Sequence, residues 1–207
     1  MNTRNAASRC GFLLVCALTF VGTAWAAPSS QLIDGRTSIR LSTDFLGTLA
    51  ANGFELSNIL PGGIFPSETP PRVAFPVATG EVDEEGPKLE IVHFGGMLLT
   101  AGDTRVALTT FIIDNFGSSL LLTGIVKTND TIVGRGTLFR ITLTTAPEIT
   151  PESGATAGRV VIENADIRLT GTGANTLNLA LGLEGVFTAG MRVGTANISA
   201  RFRDRDG

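Results

Sequence analysis

Runs of alternating apolar and polar residues recur along most of this chain, and this period-two pattern constrains the fold more than any other feature. Two of the runs are Thr104 to Ile113 and Thr137 to Leu143. Successive side chains of a β-strand point to opposite faces, so the alternation indicates strands with one buried face. Further strands are predicted at 73–77, 89–93, 120–127, 132–133, 158–169 and 193–202.

Short segments rich in glycine and small polar residues separate these runs. Residues 101–103 and 116–119 predict tight hairpins, and 134–136 predicts either a strand break or a bulge. Only 17% of the residues are charged, and the many glycine, threonine, valine, isoleucine and leucine residues favour strands over helices. The predicted fold class is mainly β, an antiparallel β-sandwich or barrel.

Two short helices are predicted to interrupt the strands. The first has N-cap candidates at 42–44, an apolar stripe that includes Phe45, and a stop at Asn52-Gly53. The second covers 173–181, with Thr172 or Asn175 as its cap. The segments 61–76 and 145–158, the first of which contains five prolines, are predicted to be loops.

The first 26 residues are typical of a secretory signal peptide. Arg4 and Arg9 precede an apolar run at 11–21 that is too short to span a membrane, and residues 24–26 supply the small residues of a cleavage site. We expect cleavage near Ala26/Ala27, a secreted protein (periplasmic or extracellular), and a single β-rich domain at 27–207. Lipidation of Cys16 is the alternative, because residues 13–16 loosely resemble a lipobox.

Removal of the signal peptide would change the chemistry that is available to the chain. Both cysteines leave with it, so no disulfide or thiol nucleophile remains. Arg4 and Arg9 leave as well, and 14 basic against 19 acidic residues remain, a net charge of −5. An acidic chain without a basic cluster in its sequence is a poor binder of nucleic acid. No transmembrane span is predicted in the mature chain, because no remaining apolar run is long enough.

His93, the only histidine, is the first candidate for a functional side chain. It shares one strand face with Leu89 and Ile91 and precedes Gly95-Gly96. One interpretation is a partly buried histidine that is hydrogen-bonded at a strand end. The other is a ligand at a pocket rim, where the glycines let another molecule approach the backbone. Histidine alone cannot make a zinc site, since zinc takes three or four protein ligands.

Carboxylates are the remaining candidates for chemistry. The acidic run at 81–86 predicts either a calcium site or a solvated turn, and it lacks the spacing of a known calcium loop. Asp114 and Asp166 lie next to or within predicted strands, and if buried they would need a partner among Arg105, Arg140 and Arg168. A structural ion pair is the expected role. The end of the chain at 201–206 is predicted to be a solvated tail, with Phe202 closing the last strand.

Three segments in order, STDFLGTLAANG, RVAFPVATGEVD and LEIVHFGGMLLTAGDTRVALTTFIIDN, resemble the HtaA-type haem-binding domain of secreted and surface-anchored bacterial proteins. In that family a capped helix precedes a strand, an acidic turn follows, and an x-His-x-Gly-x-Leu segment comes next. The resemblance covers roughly residues 40 to 115. It implies a β-rich fold with short helices.

The resemblance also implies a haem site, in which the family uses a tyrosine as iron ligand and a histidine as its hydrogen-bonding partner. His93 matches the histidine. The tyrosine would fall on or near the predicted first helix, where Phe45 is the only aromatic residue, and the chain contains no tyrosine. A haem bound here would therefore need His93 as its axial ligand. Phe45, Phe94 and Met97 are the predicted apolar contacts of such a cofactor.

Three functions are compatible with these features. The first is a secreted, non-catalytic module without a cofactor that binds a small ligand or a protein of the cell envelope. The second binds haem or another apolar cofactor through His93. The third is a hydrolase that uses carboxylates and His93 as base, although no Gly-x-Ser-x-Gly motif is present. The first is favoured, because the mature chain lacks cysteine, tyrosine and a recognisable catalytic set.

Overall fold

Twelve strands and two helices make up the part of the protein that the computed structural model describes, residues 29–83, 88–116, 119–152 and 157–203. In chain order they are β1 Ser29–Leu41, α1 Thr43–Ala51, β2 Glu55–Ile59, β3 Gly63–Phe65, β4 Arg72–Asp83, β5 Leu89–His93, β6 Gly96–Ala101, β7 Thr104–Phe116, β8 Ser119–Thr128, β9 Thr131–Thr142, β10 Glu148–Pro151, β11 Ala157–Leu169, α2 Gly171–Leu181 and β12 Arg192–Arg203.

Eight of these strands form a closed antiparallel ring in the order β7-β5-β4-β1-β12-β11-β9-β8, and pairing of β8 with β7 closes it. The predicted mainly β, antiparallel fold is confirmed, and the barrel is the correct member of the predicted pair. Closure removes the exposed edges that an open sheet would leave. The other four strands are additions: β6 and β2 extend from β7, β3 pairs with β4, and β10 pairs with β11.

The barrel interior is filled by the apolar positions of the alternating strands. Val73, Ile91, Val106 and Ile113 are fully buried, and they come from β4, β5 and the two halves of β7. The strand predictions made from alternation are confirmed for this reason. Most predicted runs have one face that leaves water, which is the main favourable term in folding. The run at 132–133 is the exception, because Ile132 and Val133 are both exposed within β9.

Strand β1 was not predicted, although it pairs with both β4 and β12. Its inward positions include Ser30 and Thr37, both of which are buried. A bulge between Leu32 and Asp34 also shifts the phase of the alternation. Just beyond it, Gly35 has φ of +144° and a Cβ there would lie 2.5 Å from the Ser199 carbonyl oxygen, so only glycine fits.

Both predicted helices are present, and both leave from the same end of the barrel. The Ser42 hydroxyl caps α1 by accepting a 3.1 Å bond from the Phe45 N–H, as predicted. The prediction for α2 was wrong at its start: the cap is Thr170, whose hydroxyl accepts from the Gly173 N–H at 2.8 Å. The two helices follow the ends of β1 and β11, which both border the first residues of β12.

The two predicted loops contain additional strands, so those predictions were incomplete. Within 61–76 lie β3 and the first residues of β4, and within 145–158 lie β10 and the start of β11. Both added strands are short and each pairs with only one neighbour, which gives them little alternation to detect. At 134–136 strand β9 continues with an irregular register, so the bulge interpretation is correct and the break is not.

Several sequence predictions lie wholly or partly outside the described residues. They are the signal peptide with its cleavage site and Cys16, the acidic turn beyond Asp83, the centre of the 116–119 hairpin and the tail beyond Arg203. Phe202 is buried within β12, as predicted. None of the helices in the described ranges has the length and hydropathy that a membrane crossing requires.

Candidate functional site

His93 is the last residue of β5, at a place where the barrel wall is irregular. Strands β5 and β6 lie one after the other along the same edge of β7, and Phe94-Gly95 separates them. Opposite this gap β7 has a bulge, in which Thr110 adopts a φ of +52°. The bulge and the gap together leave the Phe111 carbonyl without a strand partner in the β5 and β6 ladders.

The His93 ring satisfies that carbonyl and is itself fully hydrogen-bonded. Its Nδ1 lies 3.2 Å from the Phe111 oxygen, and its Nε2 lies 2.7 Å from the Thr37 hydroxyl. A carbonyl only accepts, so Nδ1 carries the proton and donates it. Nε2 is then the acceptor, and the Thr37 hydroxyl donates to it. Both ring nitrogens are therefore in use.

Burial decides the charge of this histidine. The side chain is 3% exposed. Burial holds the pKa of His93 well below its ordinary value of 6.5, at about 4, although the hydrogen bond to Phe111 acts in the opposite direction. At neutral pH the ring is uncharged. In this arrangement it crosslinks β5, β1 and β7 and offers no free nitrogen to a substrate or a metal.

The other predicted contacts of a cofactor lie in different surroundings. Met97 is buried and adjoins Phe111 around a cavity of about 10 Å³ at the centre of the barrel, at most enough for one water molecule. Phe45 lies on the buried face of α1, with its ring centroid 6.1 Å from that of Phe187. Phe94 is 55% exposed. Ligation of a haem iron by His93 stays a prediction, and it requires the bond from Thr37 to break.

A cavity of about 580 Å³ opens at the end of the barrel opposite the helices, and we name it the mouth cavity. Its apolar lining comes from six strands or their ends and includes Val82, Leu89, Leu120, Ile141, Leu143, Ile149 and Val160. Asp83, Lys88, Asn115, Ser119 and Arg140 add polar groups. The Lys88 ammonium pairs with the Glu81 carboxylate beside it. Ligand sites of small molecules are commonly of this size, mostly apolar with a few polar groups, and lie in barrel mouths.

Sequence reasoning did not find the mouth cavity. Its lining residues are spread from Val82 to Val160 and come together only because the ring closes. Each of them separately has the pattern of an ordinary core residue at a strand end. The only available signal was the number of strand ends, which says nothing about the space between them.

The carboxylate candidates have structural surroundings. Asp166 accepts from Arg168 at 2.6 Å and from Arg192 at 2.7 Å, so the predicted ion pair exists and has a second, unpredicted arginine. Partial burial raises the pKa of Asp166, but the bonds from both arginines outweigh this and hold it below its ordinary value. Asp114 is exposed, so it needs no partner. The described residues contain no group of three or more histidine, cysteine or carboxylate side chains that could hold a metal.

No protein-family model matches this sequence, and no curated protein matches it. Solved structures do match the fold. The C-terminal domain of HtaA from Corynebacterium glutamicum has a TM-score of 0.61 at 16% identity, covering 84% of this chain and 99% of that one.

Two further domains from the same organism agree with it. Heme binding protein HtaB has a TM-score of 0.56 at 11% identity over 85% of this chain and 95% of its own. The N-terminal domain of HtaA has a TM-score of 0.56 at 14% identity, covering 82% of this chain and 97% of its own. At such low identities the similarity concerns the fold. The distant resemblance predicted from three sequence segments is confirmed at that level, and this chain shares the β-barrel fold of the HtaA and HtaB domains.

Proposed function

We propose that this protein is a secreted, non-catalytic module that binds a small, largely apolar ligand in its mouth cavity. The cavity carries the proposal. It is about 580 Å³ in volume, and its aliphatic walls are interspersed with six polar or charged residues. A ligand with an apolar body and one polar end fits such a lining, because the body leaves water while the polar end keeps hydrogen-bonding partners.

The state of His93 supports a role without catalysis. A general base must reach the proton that it removes and must have a free nitrogen to receive it. His93 is buried, and its Nε2 already accepts from Thr37. This arrangement weakens the hydrolase alternative, in which His93 was the base.

Haem is the second candidate ligand, and the shared fold with a protein named for heme binding favours it. The geometry around His93 does not fit an iron-bound haem as it stands. The chain has no tyrosine, the interior cavity beside Met97 is about 10 Å³, and both nitrogens of His93 are engaged. A haem held in the mouth cavity would instead be bound through its apolar surface and would not involve His93.

Export is supported by the first 26 residues, whose charged start, apolar run and small-residue site match a signal peptide. The periplasm or the extracellular space is therefore the proposed location, and an envelope protein is the proposed alternative partner. Cell fractionation of the full-length chain, with N-terminal sequencing of the product, would test cleavage near Ala26/Ala27.

Titration of the chain from Ala27 onward with two probes tests the ligand proposal. Haemin is followed by its absorption band, and cis-parinaric acid, a fluorescent fatty acid, by its emission. Saturable binding of either probe at one site per chain is expected, and it should persist in His93→Gln. Absence of saturable binding for both probes contradicts the proposal, and loss of haemin binding in His93→Gln would move the site to the histidine.

A further inference from the structure

Arginines that are far apart in the sequence come together on one side of the barrel. We name this surface the arginine face and define it by Arg36, Arg40, Arg72, Arg140, Arg168 and Arg192. They lie on the five adjacent strands β4, β1, β12, β11 and β9. Their neighbours along each strand, such as Ile39 and Leu41 beside Arg40, are buried, so alternation directs the arginines outward.

The pairing register fixes how close these positions are. Arg40 is directly opposite Arg72, and Arg168 is directly opposite both Arg192 and Arg140. Adjacent strands are roughly 4.8 Å apart, so five strands span roughly 19 Å. Because these five strands lie side by side on the outside of a closed barrel, the face is a broad convex wall rather than a cleft.

Among the described residues, two carboxylates form salt bridges with this set. Glu68 pairs with Arg72, and Asp166 is shared by Arg168 and Arg192. Arg36, Arg40 and Arg140 are exposed and form no salt bridge with any residue that the structure describes. Further along β11, the exposed Glu163 and Arg159 offset each other. A net charge of +4 remains on the face of a protein whose overall charge is −3.

Three carboxylates form a stripe elsewhere on the barrel, although Lys88 pairs with Glu81 and the cations Arg105 and Lys127 lie on β7 and β8. Glu81, Glu90 and Asp114 are in direct register across β4, β5 and β7. The centre of the stripe on β5 is four places from β11 in the eight-strand ring and so lies across the barrel from Arg168, whereas its end on β4 shares a strand with Arg72. Since the unpaired arginines and the carboxylates are concentrated on different parts of the barrel, this uneven charge would orient the protein in front of an anionic surface.

From this distribution we infer that the arginine face docks on a membrane surface of anionic phospholipid headgroups. Guanidinium groups bind phosphate oxygens through two parallel hydrogen bonds, which a repeating array of headgroup phosphates can supply to several arginines at once. A broad convex face matches such an array better than a single phosphate, which needs a concave site. Arg140 lies at the border of the face and the mouth cavity, but the inference does not depend on a ligand in that cavity.

Co-sedimentation of the full chain from Ala27 with vesicles tests this inference. Vesicles of phosphatidylglycerol mixed with phosphatidylcholine should bind the protein, pure phosphatidylcholine vesicles should not, and added salt should release it. The Arg36→Glu/Arg40→Glu double variant should lower partitioning by about tenfold or more. Neither side chain makes a described salt bridge, so the variant should fold, which circular dichroism would verify.

The matched control is Arg105→Glu/Lys127→Glu, which changes the net charge equally on β7 and β8, across the ring from β12 and β1. It should bind vesicles far more strongly than the arginine-face variant. Equal loss in both variants would show a response to net charge alone and would overturn the inference. Failure to bind anionic vesicles, or binding to duplex DNA in their place, would overturn it as well.

Discussion

The hydroxyl of Thr37 donates a 2.7 Å hydrogen bond to Nε2 of His93 across the barrel interior, joining β1 to β5. Neither side chain is accessible to solvent. The pair explains how the only histidine of the chain can sit in an apolar core: one nitrogen accepts from Thr37 and the other donates to Phe111. Buried polar groups are tolerated when they are satisfied in this way.

Thr37→Val should therefore destabilise the protein. The substitution keeps the shape of the side chain but removes the donor, and leaves Nε2 of His93 buried without a partner. A loss of about 1–3 kcal/mol in the free energy of unfolding is expected. Urea unfolding at pH 7 measures it. Thr37→Ser is the control, since it keeps the hydroxyl, and it should be less harmful; a larger loss for serine than for valine would contradict the role of the bond.

The stability of the fold should fall as the pH is lowered from 6.5 towards 4. The unfolded chain binds a proton at His93 near its ordinary pKa of 6.5, whereas the folded protein resists until about 4. Protons thus favour the unfolded state throughout this window, and the stability contribution of neutral His93 is present above 6.5 and lost by about pH 4. The loss is on the order of 3 kcal/mol.

Urea unfolding at a series of pH values would show this slope. His93→Gln cannot titrate, so the variant should be less stable at pH 7 but should lose the part of the slope that lies between these two values. An unchanged slope in the glutamine variant would mean that other groups, and not His93, produce the acid sensitivity.

Gly173 and Gly171 provide a matched pair for the docking of α2 on β9. A Cβ at Gly173 would lie 2.0 Å from the Leu138 carbonyl oxygen, whereas a Cβ at Gly171 would meet nothing within 4 Å. Gly173→Ala must push the helix away from the strand and should cost about 1–3 kcal/mol. Gly171→Ala should be neutral or stabilising by up to about 1 kcal/mol, because alanine is the better helix former. The thermal unfolding midpoint should fall for Gly173→Ala and should rise or stay unchanged for Gly171→Ala. An equal fall in both variants would show that the helix is not closely packed at Gly173.

The sequence predicted those strands in which apolar residues recur at every second position. Strand β11 was predicted with Val161, Ala165, Ile167 and Leu169 on its inner face, and the last three are buried. The position of Val161 was wrong, because a bulge between Ile162 and Ala165 shifts the phase and places Val160 and Ile162 inward before it. Strand β1 was missed because Thr37 and Ser30 occupy inner positions that only tertiary partners make favourable. Strand β2 was missed because it lies mostly at the surface and has no buried face to mark it.

The candidate sites followed the same rule. His93 was identified as notable from the sequence, and its hydrogen-bonded, strand-end surroundings were among the predicted interpretations. Its partners Thr37 and Phe111 are 56 and 18 residues away, and no local pattern connects them. The mouth cavity and the arginine face depend on ring closure, which places strand ends and outward positions from distant segments side by side. The basic residues do not cluster along the sequence, as predicted, but they do cluster on the surface of the barrel.

Filling the mouth cavity tests the central claim most directly. Ile149 is half-buried in its lining on β10, and Ile132 is an exposed residue on β9, outside it. Titration of Ile149→Trp and Ile132→Trp with haemin and cis-parinaric acid compares the same substitution inside and outside the cavity. The proposal predicts that Ile149→Trp weakens binding of the probe at least about tenfold, the equivalent of about 1.4 kcal/mol, while Ile132→Trp binds as the unmodified chain does. Unchanged affinity in a folded Ile149→Trp variant would show that the ligand, if one binds, does not occupy the mouth cavity, and would contradict the account.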